Sequence, residues 1–317
     1  MNTMLRFARR AVYAALAVSV STASVFAQDI ETKSMDELYA EALAEGGEFV
    51  LRAGGDKSDQ IDYYLDKFKA RFPELNVTHS VDVSLNHAPR YDNAREAGGE
   101  TNVPDVIQFQ TLHDFEYYKE HGLLEQYKPA NWDKVFPDHR DPNGYWTAMY
   151  GVTFSNFVNT EMLGEDVPRD ALDYLDPDLK GKVILTYPQD DDAVLYQFWN
   201  LKEQSFESAP DAKTRFVFPE EDYFLTWFQT AAIPTQAKNK AAAKLYMNWM
   251  LSEEMQGTWL QFPVRFDIEA PGGYKSVLHH NTSPGDFRRW MMQRDQVERF
   301  RLQMRQLIGE AVGPTPV

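Results

Sequence analysis

The stretch from residue 48 to residue 83 predicts a strand, a helix and a second strand, and this order constrains the fold most. Glu48–Ala53 has the composition of a short buried strand. The helix runs from Asp59 to Phe72 and ends at Pro73, with apolar residues on one face. Asn76–Val83 is the second strand. Two strands joined by a helix pair in parallel in one sheet, so the sequence predicts an α/β fold.

A glycine-rich turn, Gly54-Gly55-Asp56-Lys57-Ser58, joins the first strand to the helix. Backbone amides at such a turn can bind a carboxylate or a phosphate. The turn lacks the third glycine of a dinucleotide-binding fingerprint and the spacing of a P-loop. The alternative is a tight turn whose glycines adopt positive φ.

Residues 104–111 predict a buried strand with a polar end, because Val106, Ile107 and Phe109 are followed by Gln110 and Thr111. A helical pattern, Leu112–His121, follows and ends at Gly122. Ligands of α/β proteins bind where strands end and helices begin. Gln108, Gln110 and Thr111 are therefore candidate ligand contacts. The alternative is an ordinary core strand with Thr111 as the helix N-cap.

Three consecutive acidic residues, Asp190, Asp191 and Asp192, separate a predicted strand, Val183–Tyr187, from a predicted helix, Ala193–Gln204. They could bind a cation or an amine. The alternative, which we favour, is acidic residues stabilised by the dipole of the helix N-terminus. Further β segments are expected at 145–150, 151–159, 214–218 and 229–233, and helices at 237–251 and 286–308.

The first 27 residues have the pattern of a secretion signal. Arg6, Arg9 and Arg10 precede an apolar run too short to span a membrane, and Val25-Phe26-Ala27 is a cleavage motif. We expect cleavage after Ala27 and a periplasmic protein. The chain has a formal charge of −16, and removing the three arginines makes the mature charge more negative. Such an acidic protein is a poor partner for nucleic acid.

No sequence pattern indicates an enzyme. The chain has no cysteine, no Gly-x-Ser-x-Gly motif and no His-Glu-x-x-His motif. His279 and His280 are adjacent, which makes a weak metal pair. We expect no cofactor, no metal site and no catalytic residue; a secreted cleft enzyme such as a hydrolase is the alternative.

Several motifs, taken in their order along the chain, resemble those of one transport family. The chain is similar to the substrate-binding components of ABC importers, in the iron/spermidine/phosphonate-like group with the type II periplasmic-binding-protein fold. The matching motifs are Glu45-Gly46-Gly47-Glu48, Ala53-Gly54-Gly55-Asp56, Pro104-Asp105-Val106, Thr111-Leu112-His113-Asp114-Phe115, Trp249-Met250-Leu251-Ser252 and Phe262-Pro263-Val264-Arg265.

The resemblance implies two α/β lobes that hold a small polar solute between them and deliver it to a membrane permease. Lobe one would be residues 28–150, lobe two 151–230, and residues 231–317 would pack back on lobe one; the protein would be a monomer. Such a solute would be iron, a polyamine, a phosphonate or similar. The contacts carried over by position are Gly55, Asp56, Lys57, Ser58, Gln108, Gln110, Thr111, Asp190, Asp191 and Asp192.

One segment departs from the family pattern. Ser205–Lys213 stands where similar proteins have several tens more residues, which normally complete lobe two. We therefore expect a reduced second lobe with exposed strand edges and apolar surface. The short segment is either natural or a deletion. An incomplete relative that binds no solute is a further alternative.

Overall fold

The computed structural model describes residues 29–97, 103–164, 167–184, 186–189, 191–201, 214–217, 219–258, 262–269, 276 and 279–310. The expected signal peptide and Asp190 lie outside this part of the chain. The helices are α1 Met35–Glu45, α2 Asp62–Arg71, α3 Ser84–Glu96, α4 Leu112–Glu120, α5 Thr160–Leu163, α6 Asp192–Leu201, α7 Lys240–Met250, α8 Glu253–Gln256, α9 Pro284–Met291 and α10 Arg294–Ile308. The strands are β1 Glu48–Gly54, β2 Asn76–Asp82, β3 Val106–Phe109, β4 Thr147–Thr153, β5 Asn156–Asn159, β6 Thr214–Val217 and β7 Thr226–Ala232.

A five-stranded sheet in the order β2-β1-β3-β7-β4 forms the centre of the fold. Strand β1 pairs in parallel with β2, as the strand–helix–strand pattern predicts, and on its other side in parallel with β3. Strand β7 is antiparallel to both β3 and β4. The parallel strands β1, β2 and β3 therefore end at the same edge of the sheet, and the α/β fold is confirmed.

Helices α1, α2 and α7 pack on the sheet and enclose the largest apolar core. Helix α1 begins with the capping box of Ser34 and Glu37, which holds the first backbone amides. Helix α7 is buried almost all round; Tyr246 and Trp249 contact the ring of Phe68. Burial of these aromatic side chains makes this half of the molecule the larger contributor to stability.

The expected single helix from 286 to 308 is wrong, because the chain breaks between α9 and α10. Gln293 has φ −95° and ψ 62°, outside the helical region. The break lets the two helices turn different apolar faces to one second core, which they share with α6, β7 and Leu112. Trp290 of α9 and Phe300 of α10 both pack on Trp199 of α6.

The second sheet, in the described residues, contains only β5 and β6. The described residues of the expected strand Val183–Tyr187 form no strand. A β-rich run needs a neighbouring strand for its backbone hydrogen bonds, and no described strand pairs with it. Large apolar side chains on this lobe are exposed, as expected for a reduced lobe: Met162 69%, Leu172 77%, Leu175 71% and Ile184 58%.

Several boundaries differ from the sequence-based expectation. The helix after β1 begins at Asp62 instead of Asp59. One strand, Thr147–Thr153, spans the expected division at residue 151. No helix in the described ranges is both long enough and apolar enough to cross a membrane.

Candidate functional site

The candidate site lies at the edge of the sheet where β1 and β3 end. The turn after β1 and the residues after β3 face the turn that precedes α6. Gln110 Nε2 donates a hydrogen bond to the carboxylate of Asp191 across this gap. The charge of Asp56 contributes to the raised pKa of Asp191. The structure therefore brings together three of the segments named from the sequence.

The glycines of the turn after β1 are needed for close packing. Neither Gly54 nor Gly55 has positive φ, so the expected reason for glycine there is wrong. A Cβ on Gly54 would lie 2.0 Å from Ser84 Oγ, and one on Gly55 would lie 2.6 Å from Val81 Cγ1. A side chain at either position would push α3 or β2 away from the strand.

The backbone amides of this turn already have an acceptor. Gln60 Oε1 accepts hydrogen bonds from the amides of Asp56 and Lys57. An incoming anion would have to displace this side chain, so the turn does not present a free anion site. Partial burial raises the pKa of Asp56. Gly55, Asp56, Lys57 and Ser58 remain proposed contacts only at the border of the cleft.

Gln108 is a core residue, contrary to the expectation that it contacts ligand. It is 0% exposed. Its Nε2 donates to Tyr64 Oη at 2.8 Å, and its Oε1 accepts from Tyr246 Oη at 2.9 Å. Because the strand alternation turns this side chain toward α2 and α7, both ends of its amide are hydrogen-bonded inside the core.

Thr111 stands at the N-cap position of α4, but its side chain makes no capping hydrogen bond. It is 2% exposed. Its hydroxyl lies close enough to the carboxylate of Asp114 for a side-chain hydrogen bond that lowers the pKa of that acid. Thr111 therefore occupies the N-cap position, as the alternative has it, without capping a backbone amide.

The two described aspartates before α6 have different roles. Asp191 caps the helix: its Oδ1 accepts from the amides of Ala193 at 2.7 Å and Val194 at 3.1 Å, and burial raises its pKa to about 6. Asp192 is 2% exposed and pairs with Arg301 and, at 3.3 Å, with Arg294. Both aspartates therefore fit the favoured interpretation, in which acidic residues lie at a helix N-terminus.

A cavity of about 600 Å³ opens at this edge, between α3 and the start of α4 on one side and α10 on the other. Its volume suits a small organic solute. Thr111 and Asp192, both named from the sequence, line it. The other lining residues are Leu85, Ala88, Pro89, Asp92, His113, Asp114, Gln189, Arg294, Glu298, Arg301 and Arg305.

Asp114 lines this cavity with a side chain 16% exposed. Its pKa is raised to about 6, mainly by burial; the charges of Asp92 and Asp192 add to the shift, whereas a hydrogen bond with Thr111 and the charge of Arg294 oppose it. His113 Nε2 lies 3.4 Å from Asp114 Oδ1. Burial and Arg294 lower the pKa of His113 to about 3, so this imidazole is neutral at neutral pH and supplies no cation.

Replacing Asp114 with asparagine is expected to stabilise the free protein above about pH 6. A folded pKa raised from 3.8 to about 6 means that ionisation opposes folding, so this cost is absent at about pH 3.5 and complete above pH 6. The gain corresponds to about 2–3 kcal/mol. Urea unfolding at several pH values, compared with Asp66→Asn at an exposed position, measures it. An equal gain at low and neutral pH would contradict it.

Sequence reasoning missed most of the cavity-lining residues. Arg294, Arg301 and Arg305 recur seven and four residues apart, which places them on one face of a helix. That spacing was a usable signal, but it does not reveal which element the face meets. His113 and Asp114 directly follow Thr111, so the strand-end argument could have been extended to them.

Comparison with known proteins agrees with this geometry. A family model described as bacterial extracellular solute-binding protein matches residues 101–209, roughly a third of the chain. A sequence search among curated proteins finds no match. The matched stretch includes β3, the cavity residues of α4 and the aspartates before α6.

Solved structures of similar shape cover most of the chain. The periplasmic binding protein AfuA from Actinobacillus pleuropneumoniae, with fructose-6-phosphate bound, is 19% identical with a TM-score of 0.63, covering 84% of this chain and 100% of that one. Iron-bound HitA from Pseudomonas aeruginosa is 16% identical with a TM-score of 0.58, covering 81% and 99%. A substrate-binding protein of an ABC transporter from Agrobacterium tumefaciens is 12% identical with a TM-score of 0.64, covering 82% and 93%.

At these identities the solved structures establish the fold, while the family model matches the sequence itself. The fold is that of two-lobed periplasmic binding proteins, here with a small second sheet. The resemblance of this chain to the bacterial extracellular solute-binding proteins that serve as substrate-binding components of ABC importers is thereby confirmed.

Proposed function

We propose that this protein captures a small polar solute in the 600 Å³ cavity beside the end of β3 and delivers it to the permease of an ABC importer. The observation that carries the proposal is the place of the cavity. It lies where β3 ends and α4 begins, between α3 and α10, in a fold used for solute binding. Binding and release by shifting between conformations is then the whole activity.

Polar contacts near the cavity link α4 and the end of β3 to α6 and α9. Gln110 bonds to Asp191, and Arg288 of α9 pairs with Glu116 of α4. The side chains of Arg288 and Glu116 are partly exposed, and we propose that a bound solute shifts the separation of these elements. We propose lobe boundaries at residues 150 and 230, with residues 231–317 shared: α7 packs on lobe one, and α9 and α10 pack on α6 and β7.

The finer setting is part of the same proposal. We expect cleavage after Ala27, a periplasmic location, a monomeric state and no binding of nucleic acid. A strongly acidic chain with a formal charge of −16 supports the last point. Protein secreted by a bacterial host with its own leader would be examined by N-terminal sequencing and by light scattering. A first residue other than Gln28 would contradict cleavage after Ala27, and a dimer would contradict the monomeric state. Neither result would bear on solute binding.

Replacing Thr111 with valine is expected to weaken solute binding about 5- to 10-fold. Valine keeps the shape but removes a buried hydroxyl that lines the cavity beside Asp114. Thermal melts with ferric salts, polyamines, phosphonates, thiamine and sugars would first find a stabilising solute. Calorimetry with that solute then compares the variants. The absence of any stabilising solute would count against the proposed function.

A further inference from the structure

The end of β3 and the start of α4 contact the helix layer formed by α6, α9 and α10. Gln110 Nε2 donates a hydrogen bond to the carboxylate of Asp191, at the start of α6. Leu112, the first residue of α4, is 4% exposed and belongs to the apolar core that the helix layer shares with β7. A polar bond and an apolar contact therefore join the two sides within three residues of chain.

The backbone holds both partners of the polar bond in place. The amide of Gln110 donates to Ser84 Oγ of α3 at 3.0 Å, and its carbonyl accepts from the amide of Leu112 at 2.8 Å. The other carboxylate oxygen of Asp191 caps α6. Because each side chain extends from a fixed backbone, the bond between them sets the distance between the end of β3 and α6.

A second polar link lies one turn further along α4. Arg288 of α9 pairs with Glu116, and its guanidinium carbon lies 4.5 Å from the ring centre of Trp146. Lys119, on the same helix as Glu116, offers this acid another partner at 3.3 Å. Glu116 therefore stays paired when α9 moves away, which makes the link to Arg288 reversible.

The apolar contact is small on the side of α4. Among the described members of the shared core, Leu112 is the only one that α3 or α4 contributes; the others lie on the helix layer or in and beside β7. Phe287 of α9 packs on Trp227 of β7, with ring centres 6.3 Å apart, so the layer is attached to the sheet independently of α4. Separation of α4 from the layer therefore leaves both parts folded.

We propose that Gln110, Leu112 and Asp191 form a latch that holds α4 against α6 in the protein without solute. The latch is a property of the free protein, and its consequence for transport rests on the proposed function. A solute that bonds to Gln110 or Asp191 has to break the bond between them first. The apparent affinity for that solute is therefore reduced by the fraction of protein in which the latch is closed.

Gln110→Glu converts the latch into one that pH opens. At about pH 8 the carboxylates at position 110 and of Asp191 are both charged and repel each other, whereas at about pH 5 they share a proton and bond. In the unaltered protein the bond persists at both pH values, because the amide can turn its oxygen toward a protonated Asp191. Asp56, Asp192 and the arginine partners of Asp192 are the same in both proteins, so a difference between them reports on position 110.

Spin labels measure the distance between α4 and α10 in the secreted protein without solute. The chain has no cysteine, so Glu120→Cys on α4 and Arg299→Cys on α10, both at exposed positions, each accept one label. Gln110→Glu is expected to lengthen this distance by about 5 Å at pH 8 and to restore it at pH 5. Gln306→Glu, at an exposed position of α10, is the matched control and is expected to keep the short distance at both pH values.

Reversible lengthening in Gln110→Glu, with a short distance in the unaltered protein and the control, supports the latch. Equal distances in Gln110→Glu and the unaltered protein at pH 8, or a long distance in the unaltered protein, overturn it. A melting curve at each pH shows whether the variant is folded. If it unfolds at pH 8, Gln110→Ala decides: a population with a longer distance supports the latch, and a single short distance overturns it. A failure of the solute panel counts against the proposed function and leaves these distances unaffected.

Discussion

Replacing Asp105 with alanine is expected to destabilise the protein by about 4–5 kcal/mol, most of the stability of a typical domain. Asp105 is 1% exposed. Its carboxylate accepts four hydrogen bonds, from the amide of Val50 at 2.8 Å, the amides of Lys238 and Asn239, and Asn239 Nδ2. It thereby joins β1 to the start of α7. Alanine would leave these partly buried donors without their acceptor.

Urea unfolding followed by tryptophan fluorescence would measure this loss. Asp105→Asn keeps one acceptor oxygen and is expected to lose about half as much. Asp66→Ala, at an exposed side chain, is the matched control and is expected to change the free energy of unfolding by less than about 0.5 kcal/mol. A loss at Asp105 no larger than that of the control would show that the junction between β1 and α7 does not depend on this carboxylate.

Replacing Asp192 with asparagine is expected to cost about 2–4 kcal/mol and to lower the melting temperature by about 5–10 °C. The carboxylate is buried and paired with two arginines, and Arg301 has a side chain only 13% exposed. Removing the negative charge leaves two cations close together against α6. Because Arg301 also donates to the carbonyl of Gln189 at 2.6 Å, the turn before α6 is expected to loosen as well.

Helix α10, which carries the two arginine partners of Asp192, provides a matched control for this prediction. Asp295 pairs with Arg299 at 3.8 Å, and both side chains are more than three-quarters exposed. Asp295→Asn is therefore expected to cost less than about 0.5 kcal/mol. Calorimetric melts of the two variants decide the matter. Equal shifts would mean that the buried network contributes no more than a surface ion pair.

These two aspartates differ in how far the sequence reveals them. Asp192 belongs to a conspicuous acidic run, and the favoured interpretation, acids at a helix N-terminus, describes its place correctly. Its arginine partners lie about a hundred residues away in sequence. Asp105 sits in the stretch that predicts β3, yet its partners are on β1 and at residues 238–239. Local patterns carry no information on such distant partners.

Local patterns by themselves predicted the α/β class and the parallel pairing of β1 with β2. Each depends on residues close together in the chain: apolar periodicity, proline and glycine positions, and cap residues. The strand-end argument also placed Thr111 at the border of the cavity, because parallel strands must end at one edge of the sheet.

Only the tertiary structure decided where the buried polar groups lie. The alternation of side chains along β3 directs Gln108 into the core, where it hydrogen-bonds to Tyr64 and Tyr246. In the glycine-rich turn, Gln60 accepts the hydrogen bond of a backbone amide that an anion could otherwise have used. The packing of α10 across α6 and α4 enclosed the cavity and buried Asp114. Side chains become buried, and distant residues become partners, only when distant elements pack together. The burial that raises the pKa of Asp114 therefore exists only in the assembled fold.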